Sequence, residues 1–120
     1  MTGRASRTVL IVEDDRDVRE SIQMLLEEEG FRVLTASNGQ GGLDLVALHR
    51  PCLILLDLMM PFMSGAEFLS ILRSDRSHGA IPVVVMSAWD VLDGVETQIQ
   101  GVVRKPVDIE RLLAFVTKFC

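Results

Sequence analysis

Four apolar residues, Leu53-Ile54-Leu55-Leu56, run straight into an acid, Asp57, and Leu58-Met59-Met60-Pro61 follows. A short apolar run bounded by a turn signal reads as a strand buried on both faces. A carboxylate beside such a strand is costly unless it is paired. Asp57 is therefore expected at the open C-terminal end of a central parallel strand, where α/β proteins keep their ligand sites; the alternative is an acid that simply caps a turn. Other apolar runs end in polar groups as well. Thr8 to Val12 delivers Glu13, Asp14 and Asp15; Ile81 to Met86 delivers Ser87 and Ala88; Gly101 to Arg104 delivers Lys105-Pro106. If these strands lie parallel, three carboxylates, a hydroxyl and an ammonium meet at one edge. Like charges about 4 Å apart repel by roughly 4 kcal/mol at an effective dielectric of about 20. A divalent cation removes that repulsion. Carboxylate oxygens without His or Cys suit Mg²⁺ (or Mn²⁺) rather than zinc, and such a cation keeps open positions for phosphate oxygens.

The elements that must position these groups alternate along the chain. Val18, Ile22, Leu25 and Leu26 recur on one helical face, and Gly30 stops that helix. Arg32 to Ala36 reads as a strand. Asn38 caps a helix carrying Leu43, Val46 and Ala47, and Pro51 ends the connection to the central strand. Ser64-Gly65-Ala66-Glu67 matches a capping box, with Phe68, Leu69 and Leu72 on the inner face of the helix it opens. Asp108 caps a last helix whose inner stripe is Ile109, Leu112, Leu113, Val116 and Phe119, leaving Phe115 exposed as a hint of a contact surface. Trp89 to Gln100, broken by Gly94, holds two helical turns at most. This five-fold βα alternation predicts a parallel sheet with helices on both faces. Gly39-Gln40-Gly41-Gly42 lacks the further residues of a dinucleotide fingerprint or a P-loop and reads as a flexible helix entry. Asp15 reads as a cap for the first helix. His49 and His78 fall in connections and read as surface histidines.

Composition excludes several classes. The 120 residues make one domain with a real core, and 48% hydrophobic content argues against disorder. A formal charge of −5 argues against a nucleic-acid surface. Met1 to Arg7 is polar and lacks a signal-peptide core, and no apolar run reaches membrane length, so a soluble cytoplasmic protein is expected. Cys52 and Cys120, far apart in the chain, predict neither a disulfide framework nor a metal site, and Cys52 is expected as a buried thiol.

From Thr8 to Phe119 the sequence resembles a bacterial response-regulator receiver domain of two-component signalling, similar to the chemotaxis regulators. The likeness is carried by Val12-Glu13-Asp14, by Asp57 with Pro61 and Gly65, by Ser87-Ala88 and by Lys105-Pro106, in that order. It implies a flavodoxin-like (βα)5 three-layer sandwich with strand order 2-1-3-4-5, here with a shortened or irregular fourth helix. Residues 1–7 would be an extended or disordered lead and 8–120 the receiver domain. The resemblance further implies that Asp57 accepts a phosphoryl group. Asp14 would ligate Mg²⁺ directly, Glu13 through a metal-bound water, and Met59 through its backbone carbonyl. Ser87 and Lys105 would contact the phosphoryl group, and the peptide before Pro106 would be cis. The phosphodonor would be a sensor histidine kinase or phosphotransfer protein, and the only reactions promoted would be the domain's own phosphorylation and dephosphorylation. The output, a downstream protein or a fused domain, is not named by the sequence, and homodimerisation stays open.

Three features depart from the family pattern. Val102 stands where an aromatic switch residue is usual. The stretch from Ser87 to Lys105 is shorter than usual by about one helical turn. Trp89 stands at the rim, where it either slows water attack or packs on the loop. Val102 and the short fourth helix support an alternative, a receiver-like adaptor that signals without phosphate. A haloacid-type phosphatase would want a second Asp where Met59 stands.

Overall fold

Alternation along each strand decides which face a residue serves. The computed structural model describes residues 7–87 and 95–120. Its strands are β1 (Thr8–Val12), β2 (Arg32–Ala36), β3 (Leu53–Asp57), β4 (Val83–Ser87) and β5 (Gly101–Arg104), and its α-helices are α1 (Arg16–Glu28), α2 (Gly39–His49), α3 (Gly65–Ser74) and α4 (Ile109–Phe119). The strands form one parallel sheet in the order β2-β1-β3-β4-β5, as the resemblance implies. Leu10, Val12, Ile54, Leu56, Val83 and Val85 point to one face, beneath α2 and α3, where Val46, Phe68, Leu69 and Leu72 cover them. Val9, Ile11, Leu53, Leu55, Val84, Met86 and Val103 point to the other, beneath α1 and α4. Such continuous apolar runs are what a sheet covered on both faces requires.

The helix starts follow the caps. Asp15 accepts the backbone N–H groups of Asp17 and Val18, at 2.9 and 3.2 Å, so it caps α1. Asn38 caps α2 through Gly41, and Ser64 and Glu67 complete a capping box on α3. Gly42 lies where α2 presses on the sheet: a Cβ there would come within 2.8 Å of Val12. The glycine string is thus partly a packing requirement.

Several expectations need correction. β4 begins at Val83 rather than Ile81, because Pro82 has no N–H for the ladder and Ile81 N–H turns back to the His78 carbonyl. Leu45 packs against the core while Ala47 is exposed. Ile109, assigned to the inner stripe of α4, is exposed, and Phe115 is half-buried. The Phe115 ring lies over Gly101, where a Cβ would come within 2.4 Å of it, and the Arg111 guanidinium stacks on the ring. His78 is largely covered and pairs with Asp75 at 3.2 Å. Cys52 is no free thiol. It is half-buried and disulfide-bonded to Cys120, 68 residues away in sequence, because the end of α4 comes down beside the start of β3.

Between β4 and β5 the described residues hold a single 3-10 turn, Glu96–Gln98. The expectation of two helical turns at most covers Trp89 to Gln100, of which 89–94 lie outside the described residues. Arg73 of α3 anchors what is described there. Its guanidinium donates to the carbonyls of Gly79, Ile81 and Gln98.

Candidate functional site

Parallel order brings the strand ends together. Val12 lies beside Leu56, Asp57 beside Met86, and Ser87 beside Arg104. The residues after β1 and at the end of β3 therefore face one another. Carboxylate oxygens of Glu13, Asp14 and Asp57 lie within 4.8 Å of one another. Glu13 is fully buried, Asp57 is 3% exposed, and Asp14 is open to solvent. Asp57 ends β3 as expected, but it is almost wholly buried rather than open to solvent.

Each group is held from below. The Glu13 N–H donates to the Ala36 carbonyl, and its Oε2 accepts the Asp15 N–H at 3.1 Å. Its Oε1, sealed from solvent, has no well-aimed donor among the described residues and faces Nζ of Lys105 at 2.6 Å. Asp57 Oδ1 accepts the Met59 N–H at 3.1 Å and lies 3.6 Å from the same Nζ. The Lys105 N–H donates to the Ser87 carbonyl at 2.8 Å, which registers the fifth strand's end against the fourth's. Ser87 is buried. The Lys105–Pro106 peptide is cis, as expected. Val102 is half-buried on β5, and its carbonyl accepts the Arg111 side chain. Ala88, expected at the end of the fourth strand, and Trp89, expected at the rim, lie outside the described residues.

Burial and crowding both act on the Asp57 carboxyl. Burial first, then a hydrogen bond and like charge from Glu13, push its pKa up to about 7, against the smaller lowering effects of the Met59 N–H and of Lys105. Burial alone would lower the Lys105 pKa, but the close carboxylates of Glu13 and Asp57 outweigh it and raise it. Two carboxylates so placed lack positive charge. One lysine does not supply it, and a hard divalent cation on an all-oxygen donor set would.

Sequence reasoning missed Arg19, which donates to the Glu13 carbonyl at 2.9 Å and so steadies the acid's backbone. No spacing rule singles it out from the other charged residues of α1. It also missed a groove of about 330 Å³ between α1 and α4, lined by Val18, Ile22, Leu25, Val107 and Leu112, with Lys105 and Pro106 at one wall. Both of its sides read in the sequence only as helices with inner faces.

Residues 9–117 match the response regulator receiver domain family. The chain belongs to that family. Response regulator Rre1 of Synechocystis sp. is 37% identical over 114 residues, covering 91% of this chain and 49% of that protein. Transcriptional regulatory protein CseB of Streptomyces avermitilis is 36% identical over 119 residues, covering 92% and 49%. The receiver domain thus spans about half the length of the curated relatives it matches. Among solved structures, Vibrio cholerae chemotaxis protein CheY4 superposes with a TM-score of 0.86 at 26% identity, covering 94% of this chain and 98% of that one. The receiver domain of Francisella response regulator 1452 gives 0.85 at 28% identity, covering 94% and 95%. Receiver domains of response regulators serve two-component systems, interact with histidine kinases or phosphotransfer partners, and are generally not enzymes in the ordinary sense. Among the described residues, no helix is long and apolar enough to cross a membrane.

Proposed function

We propose that this receiver domain takes a phosphoryl group onto Asp57 from the phosphohistidine of a sensor histidine kinase or phosphotransfer protein, and that the new charge switches partner binding. The observation that carries the reading is the convergence of Glu13, Asp14 and Asp57 around one point, with Lys105 reaching two of the three. Glu13, Asp14, Asp57 and the Met59 carbonyl would hold Mg²⁺ or Mn²⁺. Bound there, the cation would neutralise the acids and draw charge from the transferring oxygens.

The chain's own groups do the rest. An oxygen of Asp57 attacks phosphorus in line with the leaving imidazole nitrogen. The P–N bond breaks, the P–O bond forms, and the electron pair returns to the imidazole, which picks up a proton. The Met59 N–H fixes the other side of the carboxylate and orients it. Lys105 leaves Glu13 to share the charge spread over the phosphoryl oxygens, and the Ser87 hydroxyl donates to one of them. Water later cleaves the acyl phosphate and returns Asp57 with inorganic phosphate. The apolar groove beside Lys105 suits the helical surface of a phosphodonor, since it opens next to the amine that must meet the phosphoryl group. The working compartment is the cytoplasm.

The adaptor alternative rests on Val102, which has no ring to rotate. One experiment separates the two readings. The full chain is incubated with Mg²⁺ and acetyl phosphate and weighed intact. A gain of one phosphoryl group that disappears in Asp57→Asn supports the switch. No gain with any donor, or a gain that survives the substitution, supports the adaptor.

A further inference from the structure

A second pair of reactive side chains lies at the opposite end of the sheet, and phosphoryl chemistry does not use it. Cys52 stands one residue before β3, at the end remote from Asp57. Cys120 caps α4, its backbone N–H bonded to the Val116 carbonyl. Their Cα atoms are 5.5 Å apart, a separation that a disulfide spans without backbone movement. Both residues are half-buried, so a small thiol can reach the bond. Cys52 Sγ also lies 3.2 Å from the Thr8 carbonyl, which gives the reduced thiol an acceptor already in place. Leu112 and Val116 of α4 are fully buried in the core beneath the sheet, a contact that does not involve the sulfurs.

We propose that Cys52 and Cys120 form a reversible redox modification site, a dithiol that a low-molecular-weight disulfide of the glutathione class oxidises to an intramolecular bond fastening the last turn of α4 to the base of β3. One cysteine thiolate attacks a sulfur of the small disulfide, forming a mixed disulfide and releasing one small thiolate. The second cysteine thiolate attacks the protein sulfur of that mixed disulfide and releases the other. The protein loses two electrons and two protons, and the small disulfide becomes two thiols. The consequence falls on the C-terminal end of α4, the end opposite Ile109 and Leu112, which line the groove beside Lys105. Oxidation removes the freedom of its last turn. The bond also closes a 68-residue span, so it restricts the unfolded chain strongly.

The test uses the full chain in buffers of graded oxidised and reduced glutathione, trapped by alkylation and weighed intact. The expected result is a monomer that takes up two alkyl groups when reduced and none when oxidised, without denaturant. Reduction should lower the melting temperature by on the order of 10 °C. It should also speed amide exchange in the last turn of α4 by about tenfold. Cys120→Ser should melt like the reduced protein and take up one glutathione at Cys52. The proposal is overturned if no intramolecular bond forms at any ratio, if linked dimers form instead, or if the bond forms only in denaturant. It is equally overturned if the bond forms and neither melting nor exchange changes.

Discussion

Nζ of Lys105 lies 2.6 Å from a buried carboxylate oxygen of Glu13, closer than its 3.6 Å approach to Asp57. The ammonium is parked on the neighbour of the nucleophile, within reach of whatever the nucleophile acquires. Lys105→Ala should therefore leave Mg²⁺ affinity within about threefold of the parent, since an ammonium is no ligand. Phosphorylation from acetyl phosphate should slow by about a hundredfold, because charge on the transferring oxygens loses a preorganised partner. Calorimetric titration with Mg²⁺ and a time course of intact mass check the two halves.

The raised pKa of Asp57 fixes a pH dependence. Its value in the fold is about 7 against an ordinary 3.8, so between those values the folded state binds more protons than the unfolded chain. Metal-free stability should accordingly fall as pH rises through that window and stay reduced above it, by on the order of a few kcal/mol. Urea denaturation in EDTA at about pH 5 and about pH 8 measures this contribution against Asp57→Asn, which should flatten it. Saturating Mg²⁺ should restore stability at the higher pH and do little at the lower.

Asp14 separates metal binding from folding. It is the exposed member of the acidic cluster, while Glu13 and Asp57 are buried. Asp14→Ala should weaken Mg²⁺ binding by about tenfold or more. Its metal-free stability should stay within about 0.5 kcal/mol of the parent. Titration of the metal and melting in EDTA give the two numbers.

Gly65 shows how tightly the loop after Asp57 is folded back. A Cβ there would stand 2.7 Å from the Leu58 Cα, and the Gly65 N–H donates to the Leu58 carbonyl at 3.0 Å. Gly65→Ala should cost about 1–3 kcal/mol, because backbone rather than a flexible side chain must move. Since Leu58 follows Asp57 directly, phosphorylation should slow as well. Denaturation and the same mass assay report both effects.

The parts legible in the sequence are those that local patterning controls. Apolar runs ending in Glu13, Asp57, Ser87 and Lys105 located the strands, and parallel order gathered their ends. Caps at Asp15, Asn38, Ser64 and Asp108 fell where side-chain oxygens sit ahead of amphipathic runs. What escaped depends on contacts across the fold. Phe115 is turned inward because Gly101 leaves room on the facing strand, which α4's own periodicity does not reveal. Cys52 meets Cys120 because two element ends share one edge, which cysteine spacing does not encode. Arg73 finds its carbonyls in segments up to 25 residues away.

The central claim is that one named carboxylate carries the phosphoryl group. The most direct measurement reduces the phosphorylated full chain with borohydride, which converts an acyl phosphate to the alcohol, and reads the modified position by peptide mass spectrometry. Homoserine at position 57 alone is the result expected. Modification at Glu13 or Asp14, or none in a chain that has gained phosphoryl mass, would contradict it.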